Sequence, residues 1–317
     1  MNEASQFRVR RFMTATTSII MPAFDVGRYI GDAIESVLAQ TREDWALIIG
    51  DDGSTDDTVD IACSYKDARI KVISQNNAGA AAARNRAARE SSSEFLSMLD
   101  ADDAWAPDYL EKMLGAMEAA PDYAFVACDA QTFIMKKRPG NRCSENVAMV
   151  PPVTLERVAT REFQVYTAVT MRRVWFDCVG GFDNDLRNAQ DFDLWVRILA
   201  AGGEAGFINE PLAWYRMRDD SLSSNDVRLS RFTKRVYEKL RASRPDVADL
   251  CDGQIAKLDY TIALHEAKDA LRCGRFRDFH QHADDALRHN RNRKLRATKS
   301  LARVAPPLAR LLMTARG

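Results

Sequence analysis

Three carboxylates crowd four positions in Asp100-Ala101-Asp102-Asp103, directly behind the apolar run Phe95-Leu96-Ser97-Met98-Leu99. A strand ending there would project them together from its carboxyl end. Like charges held that close repel, and each pKa is driven up unless a cation is shared among them. Hard oxygen donors of this kind suit Mg2+ or Mn2+, which in turn suit a phosphate-bearing ligand. An acidic turn capping the next helix would use the same residue type. Two further clusters shift the balance: Pro22-Ala23-Phe24-Asp25 and Asp51-Asp52-Gly53-Ser54-Thr55-Asp56 each follow another short apolar run. Turn chemistry does not need carboxylates repeated at successive strand ends, whereas a single nucleotide site explains them. The histidines (265, 280, 282 and 289) all lie beyond residue 260, so chemistry before that point rests on carboxylates, arginines and hydroxyls.

The elements that must position these clusters alternate. Thr17 to Met21 reads as a strand stopped by Pro22, and Ile30, Ile34, Val37 and Leu38 then share one helical face. Trp45 to Ile49 and Ile70 to Ile73 read as the next strands, with a helix capped by Asp56 between them. Gly79 opens a helix through Arg84-Asn85-Arg86, Glu94 to Leu99 is a fourth strand, and Pro107 starts the following helix. Tyr123 to Cys128 reads as a fifth strand, Lys136 to Pro152 as a loop, and Val165 to Met171 as another strand. A helix headed by Asp191 closes at Gly202-Gly203. Alternation of this kind predicts βαβ units and an α/β, mainly parallel sheet, in which ligands bind beyond the carboxyl ends of the strands. From Asp226 onward the pattern is helical, with a hairpin about Gly274 similar to a single tetratricopeptide unit.

The whole chain narrows the function further. Its 317 residues balance 45 basic against 45 acidic side chains, so nothing global points to nucleic acid. No stretch reaches the length of a membrane span, and Met1 to Thr17 lacks the apolar core of a secretory signal. Six scattered cysteines without a C-x-x-C pair fit reduced, mostly buried thiols and a cytoplasmic location. After Asp285 the chain carries no acid. Its basic tail, with Leu308, Leu311 and Leu312 among arginines, suggests peripheral contact with an anionic membrane surface.

Ser18-Ile19-Ile20-Met21-Pro22-Ala23-Phe24, Asp51-Asp52-Gly53-Ser54-Thr55-Asp56, Asn77-Ala78-Gly79, Ala83-Arg84-Asn85 and Leu99-Asp100-Ala101-Asp102-Asp103 stand in an order and spacing that resembles the family 2 glycosyltransferases. The resemblance runs from about residue 17 to 120 and more loosely to 224. It implies a GT-A, Rossmann-like fold: a mixed, mainly parallel sheet flanked by helices, here with a helical C-terminal appendage. The expected division is an N-terminal extension over 1–16, a glycosyltransferase domain over 17–225 and a helical region over 226–317. The domain would comprise a nucleotide-binding half (17–130) and an acceptor half (131–225). Such a protein is an inverting transferase in cell-surface polysaccharide assembly, using a nucleotide-diphosphate sugar, most often a UDP-sugar, with Mn2+ or Mg2+. Its acceptor would be a hydroxyl of a glycan or a lipid-linked sugar.

Carried over by motif, Pro22, Ala23 and Phe24 line the base and ribose pocket together with Gly79. Asp52 accepts from the pyrimidine imide, which favours uracil over cytosine. Asp100, Asp102 and Asp103 divide ribose contact and metal coordination, with Asp102 and Asp103 nearest the metal. Arg84 reaches the diphosphate, or else makes a surface ion pair of little worth. The resemblance places the base at Asp191, after Gly180-Gly181-Phe182-Asp183, with Gln190 where Glu is commoner. Arg218 stands where the family often has His; guanidinium cannot ligate a metal but can pair with phosphate oxygens. The rival reading is a non-catalytic nucleotide-sugar-binding protein acting through its helical region.

Overall fold

The computed structural model describes residues 15–133, 139–145, 149–166, 168–217, 226–305 and 307–309. Two compact units divide the chain, one up to residue 221 and one from 222 on. The first begins with strict alternation: β1 (Thr17–Ala23), α1 (Gly27–Leu38), β2 (Trp45–Asp51), α2 (Thr58–Ser64), β3 (Ile70–Ser74), α3 (Ala80–Arg89) and β4 (Phe95–Met98). β2 and β4 are buried along their whole length. That is why they read as continuous apolar runs rather than alternating ones: helices cover both faces of the sheet. On α1, Ile30, Ala33, Ile34 and Val37 are fully buried, at the spacing that turns one helical face to the sheet.

There follow β5 (Ala104–Trp105), α4 (Tyr109–Ala119), β6 (Tyr123–Phe133), β7 (Pro139–Arg142), α5 (Leu155–Ala159), β8 (Val169–Arg172), α6 (Arg173–Cys178), α7 (Gln190–Ala200) and β9 (Glu204–Arg216). The sheet order is β3-β2-β1-β4-β8-β6-β9-β5, with β7 paired to β6. β1 pairs in parallel with both β2 and β4, and β2 with β3. β8 then runs antiparallel between β4 and β6, while β6 and β9 are parallel. Strand order reverses at β1, and the clusters at 22–25, 51–56 and 100–103 follow β1, β2 and β4. The topology thus brings them to one edge of the sheet.

Several elements differ from the expectations. β1 continues through Pro22, which pairs opposite Gly50, because proline's φ is compatible with an extended strand. The helix expected at Pro107 begins at Tyr109. β6 does not stop at Cys128 but runs to Phe133. It carries the fully buried Asp129, whose carboxylate accepts from Ala130 N, Ser144 N, Ser144 Oγ and Arg142 Nε at 2.7–3.1 Å. A charge so completely satisfied need not end a strand. The expected loop from Lys136 to Pro152 includes β7, and the strand expected from Val165 shortens to Val169–Arg172.

The second unit is helical: α8 (Asp226–Ser243), α9 (Ala248–Arg272), α10 (Phe276–His289) and α11 (Arg293–Val304). Ala263, Ala267, Ala270, Leu271, Phe279 and Ala283 form its own core. Gly274, at φ +75°, follows the end of α9, where an L side chain would be strained. Among the described residues no helix is long and apolar enough to cross a membrane. Leu311 and Leu312 of the basic tail lie outside the described residues. The thiols are all free, as expected, but Cys63, Cys178 and Cys273 are exposed rather than buried.

Candidate active site

The loops after β1 and β2 form one structure. Asp52 N donates to Ala23 O at 2.8 Å, Thr55 N to Asp25 Oδ1 at 2.8 Å, and Asp25 N to Ser54 Oγ at 3.0 Å. Gly53 turns the chain at φ +82°, and a Cβ there would stand 3.1 Å from Gln75 O, so the turn requires glycine. Pro22 and Ala23 end β1, while Phe24 is 46% exposed at the site edge. Buried Asp52 points at the loop preceding α3. Its Oδ1 accepts from Gln75 Nε2 and Ala78 N, both at 2.8 Å, and its Oδ2 from Gly79 N at 2.7 Å. A carboxylate offers about four acceptor positions, so Oδ2 retains capacity for one more donor.

Adjacent residues on α3 join the remaining parts. Arg84, 5% exposed, donates to Asp100 Oδ1 at 2.5 Å. The pair joins a buried guanidinium to a half-buried carboxylate. Its buried Nε has no hydrogen-bond partner among the described residues, an arrangement that costs roughly 1–3 kcal/mol unless a ligand accepts from it. Arg84 also lies over the Phe182 ring, 5.2 Å from its centroid. Asn85 donates to Phe182 O at 2.8 Å and Asn184 Oδ1 at 2.9 Å, and accepts from Phe182 N at 2.9 Å. Gly181, at φ +70°, leaves room for it; a Cβ there would stand 2.7 Å from Asn85 Oδ1. One helical turn therefore grips both the acidic cluster and the loop leading to Asp191.

Asp103 is half-buried and accepts from Arg216 N at 2.8 Å. Burial first, then the Asp102 and Asp100 charges, push its carboxyl well above the usual range. Arg216 holds the turn from outside: its Nε donates to Asp102 O at 2.7 Å and its Nη2 pairs with Asp32 Oδ2 at 3.0 Å. The guanidinium lies 4.3 Å from the Phe133 ring centroid and 4.8 Å from that of Tyr29. Among the described residues no three carboxylate, imidazole or thiol groups converge as a closed metal cage. Asp102 and Asp103 still fit a cation that completes its shell from phosphate and water, the usual manner of Mg2+. Such an ion would hold the crowded carboxylates ionised.

Asp191 stands in the first turn of α7, after Ala189 in the left-handed region at φ 57°. The helix begins at Gln190, so Asp191 is inside it rather than at its cap. Half-buried, its carboxylate has no hydrogen-bond partner among the described residues. Asp193, two residues on, is buried and held by Arg197 Nε at 2.7 Å. Arg197 in turn donates to Val179 O and Gly181 O, pinning the glycine loop. Arg218 lies outside the described residues.

Two arginines escaped the sequence reading. Arg216 belongs to the Tyr215-Arg216 step that precedes Arg218, but nothing in its spacing announced that it would tie β9 to the acidic turn. Arg187 has no motif at all. Its guanidinium packs across Gly79: a Cβ there would stand 2.4 Å from Arg187 Nη1. It thus bridges the loop that Asp52 holds and the loop that carries Asp191, and among the described residues it makes no ion pair.

Residues 18–181, just over half the chain, match the family model of glycosyl transferase family 2. A relative, WfgD of Escherichia coli, named a UDP-Glc:alpha-D-GlcNAc-diphosphoundecaprenol beta-1,3-glucosyltransferase, is 41% identical over 252 residues, covering 77% of this chain and 90% of its own. Among solved structures, Staphylococcus aureus TarS 1–349 in complex with UDP-GlcNAc aligns with TM-score 0.66 at 16% identity, over 94% of this chain and 90% of that one. The mannosyltransferase PcManGT from Pyrobaculum calidifontis, in complex with GDP-Man and Mn2+, aligns with TM-score 0.60 at 17% identity, over 98% and 91% of the two chains. At such identities the structures speak for the fold, and the family match for the class of enzyme. The chain belongs to glycosyl transferase family 2: it is a glycosyltransferase of GT-A fold.

Proposed function

We propose that this enzyme moves a sugar from a nucleotide-diphosphate sugar, a UDP-sugar, to a hydroxyl of a glycan or lipid-linked acceptor in cell-surface polysaccharide synthesis, with inversion at the anomeric carbon. The reading rests on one observation above all: Arg84 and Asn85, adjacent on α3, join the Asp100 cluster to the Phe182 loop that leads to Asp191. Nucleotide, diphosphate and acceptor chemistry then share one cleft. The named donor of WfgD and the ligand in TarS favour uridine.

In this reading exposed Phe24 covers the base, with Pro22, Ala23 and Gly79 around it. Asp52 accepts the imide N–H through the remaining capacity of Oδ2. Asp100, paired with Arg84, faces the ribose. Asp102 and Asp103 would hold Mn2+ or Mg2+, as the Mn2+ in PcManGT suggests; such an ion stabilises charge on the departing diphosphate. Arg84 through its unpartnered Nε, Arg187 across Gly79, and Arg218 donate to the same diphosphate oxygens. Asp191 removes the acceptor hydroxyl proton as that oxygen attacks the anomeric carbon opposite the nucleotide. A single displacement inverts the configuration and needs no second nucleophile. The unoccupied lone pairs of Asp191 suit that task.

Calorimetric titration of UDP with and without Mn2+, followed by a screen of UDP-sugars, tests the reading. Metal-dependent UDP binding that GDP and CDP do not match is expected, as is a product of inverted anomeric configuration by NMR. An absence of UDP binding under both conditions would overturn it.

A further inference from the structure

The helix α11 carries charge that the transferase site does not use. Between residues 288 and 303 stand seven arginines and lysines, and no acid follows Asp285. Three of the seven are engaged: Arg288 Nη1 pairs with Asp285 Oδ1 at 2.7 Å, Lys299 Nζ with Asp284 Oδ1, and Lys294 has a partner as well. The other four, Arg291, Arg293, Arg296 and Arg303, are exposed and make no ion pair among the described residues. In a chain of zero formal net charge, one short segment thus holds four arginines without a counter-charge.

The fold fixes which way this segment faces. Leu295, Thr298 and Ala302 are buried on one side of α11, and Leu295 and Ala302 join the core that α9 and α10 supply. Asn292 holds the start of the helix: its Oδ1 accepts from Leu295 N at 2.9 Å, and its Nδ2 donates to Tyr260 Oη of α9 at 2.7 Å. Helical spacing then puts Arg293, Arg296, Ser300, Arg303 and Val304 on the opposite, exposed side. Val304 is 81% exposed, and Leu308 just beyond the helix is 56% exposed. A lone exposed aliphatic side chain is ordinary. Here two of them follow directly on arginines that lack a counter-charge. A free amphipathic helix would sink its apolar face into a bilayer, but that face of α11 is already buried within the unit, so only the basic side is left to meet a partner.

We propose that the exposed side of α11 is a docking surface for an anionic lipid bilayer, with Arg293, Arg296 and Arg303 at the phosphate headgroups and Val304 and Leu308 entering beside them. Charge complementarity selects this occupant. Guanidinium forks take phosphate oxygens two at a time, and a cluster of cations is drawn to anionic lipid within a Debye length. The aliphatic side chains gain by leaving water for the acyl boundary, and would gain nothing on a polyanion such as RNA. With so few apolar groups the contact is shallow and reversible. It goes beyond the proposed reaction and gives it a place, since a lipid-linked acceptor is met at such a surface. The contact itself requires neither donor nor acceptor.

The test sediments the full-length protein, without nucleotide, with vesicles of phosphatidylcholine or of phosphatidylcholine mixed with phosphatidylglycerol. Retention on the anionic vesicles alone, released by added salt, is expected. The triple variant Arg293→Gln, Arg296→Gln, Arg303→Gln should bind them about tenfold more weakly or worse. The double variant Val304→Ser, Leu308→Ser should bind several-fold more weakly at unchanged charge. All five side chains are exposed, so the core is untouched, and circular dichroism reports the fold of each variant. Wild-type protein that stays in solution with the anionic vesicles, or a folded triple variant that binds them equally, would overturn the proposal. Binding by the double variant equal to the wild type would overturn it too, giving the face to polyanions in general, as polyuridylate in place of the vesicles then shows. Loss of UDP binding with vesicle retention intact counts against the donor reading alone, and the reverse result against the lipid surface alone.

Discussion

The acidic turn Asp100–Asp103 and the helix start Gln190–Asp193 both carry clustered carboxylates, and the protein treats them in opposite ways. In the turn, Asp100 is paired with Arg84 and Asp103 accepts from Arg216 N, its pKa raised by desolvation and then by the neighbouring Asp102 and Asp100 charges. In the helix, Asp193 is committed to Arg197 while Asp191 has no hydrogen-bond partner among the described residues. A carboxylate that shares a cation can be fixed by hydrogen bonds, because the cation offsets the crowding. A carboxylate that takes a proton must keep a lone pair uncommitted. In the proposed mechanism the contrast would divide cation holding from proton transfer between two segments about 90 residues apart in sequence, which α3 draws together.

The sharpest way to break this contrast is to exchange the consequences. Asp191→Asn should lower turnover by roughly 10³-fold, the scale of a lost general base, and leave UDP binding nearly unchanged. Asp103→Asn should do the reverse and abolish metal-dependent UDP binding. Turnover assays paired with calorimetry check both, and equal losses of binding in the two variants would end the division.

Arg216→Met should come next in size. It removes a guanidinium that neutralises Asp32 and ties down the Asp102 carbonyl, at about 3 kcal/mol of stability, while the backbone amide that Asp103 accepts from remains. Urea unfolding measures this. A smaller effect is expected from Arg187→Ala: KM for the donor up by about tenfold with kcat nearly constant, the signature of uniform ligand binding. An equal fall in kcat would instead give Arg187 a part in the transition state. Smallest, the same rule of burial should sort the sulfur groups. Burial pushes the Cys128, Cys143 and Cys251 thiols up, and the thiolate is the reactive form. Ellman's reagent should therefore modify the exposed Cys63, Cys178 and Cys273 rapidly and the other three only on unfolding.

Much of the nucleotide half was legible before any fold was seen. β1, β2, β3 and β4 lie within one or two residues of their apolar runs, because buried parallel strands are bounded by turns and Gly-rich loops. The second half was less legible. β6 runs past Asp129 and β7 interrupts an expected loop, since both depend on the buried charge being met by Arg142 and Ser144. Such pairing is a long-range event with no local pattern.

What the amino-acid sequence by itself determined is the order of chemistry along the chain: carboxylates behind strands, no imidazole before residue 260, glycines at the turns, and a helical region after 226. These follow from composition and short periodicities, which act over a few residues. Tertiary structure alone decided which groups are already spoken for. Asp52 is held by the amides of Ala78 and Gly79, Arg84 by Asp100, and Asp193 by Arg197, while among the described residues Asp191 has no hydrogen-bond partner and Arg187 no ion pair. Whether a charged side chain is structural or available depends on distant partners, as with Arg216 and Asp32, 184 residues apart. Only folding brings those into contact.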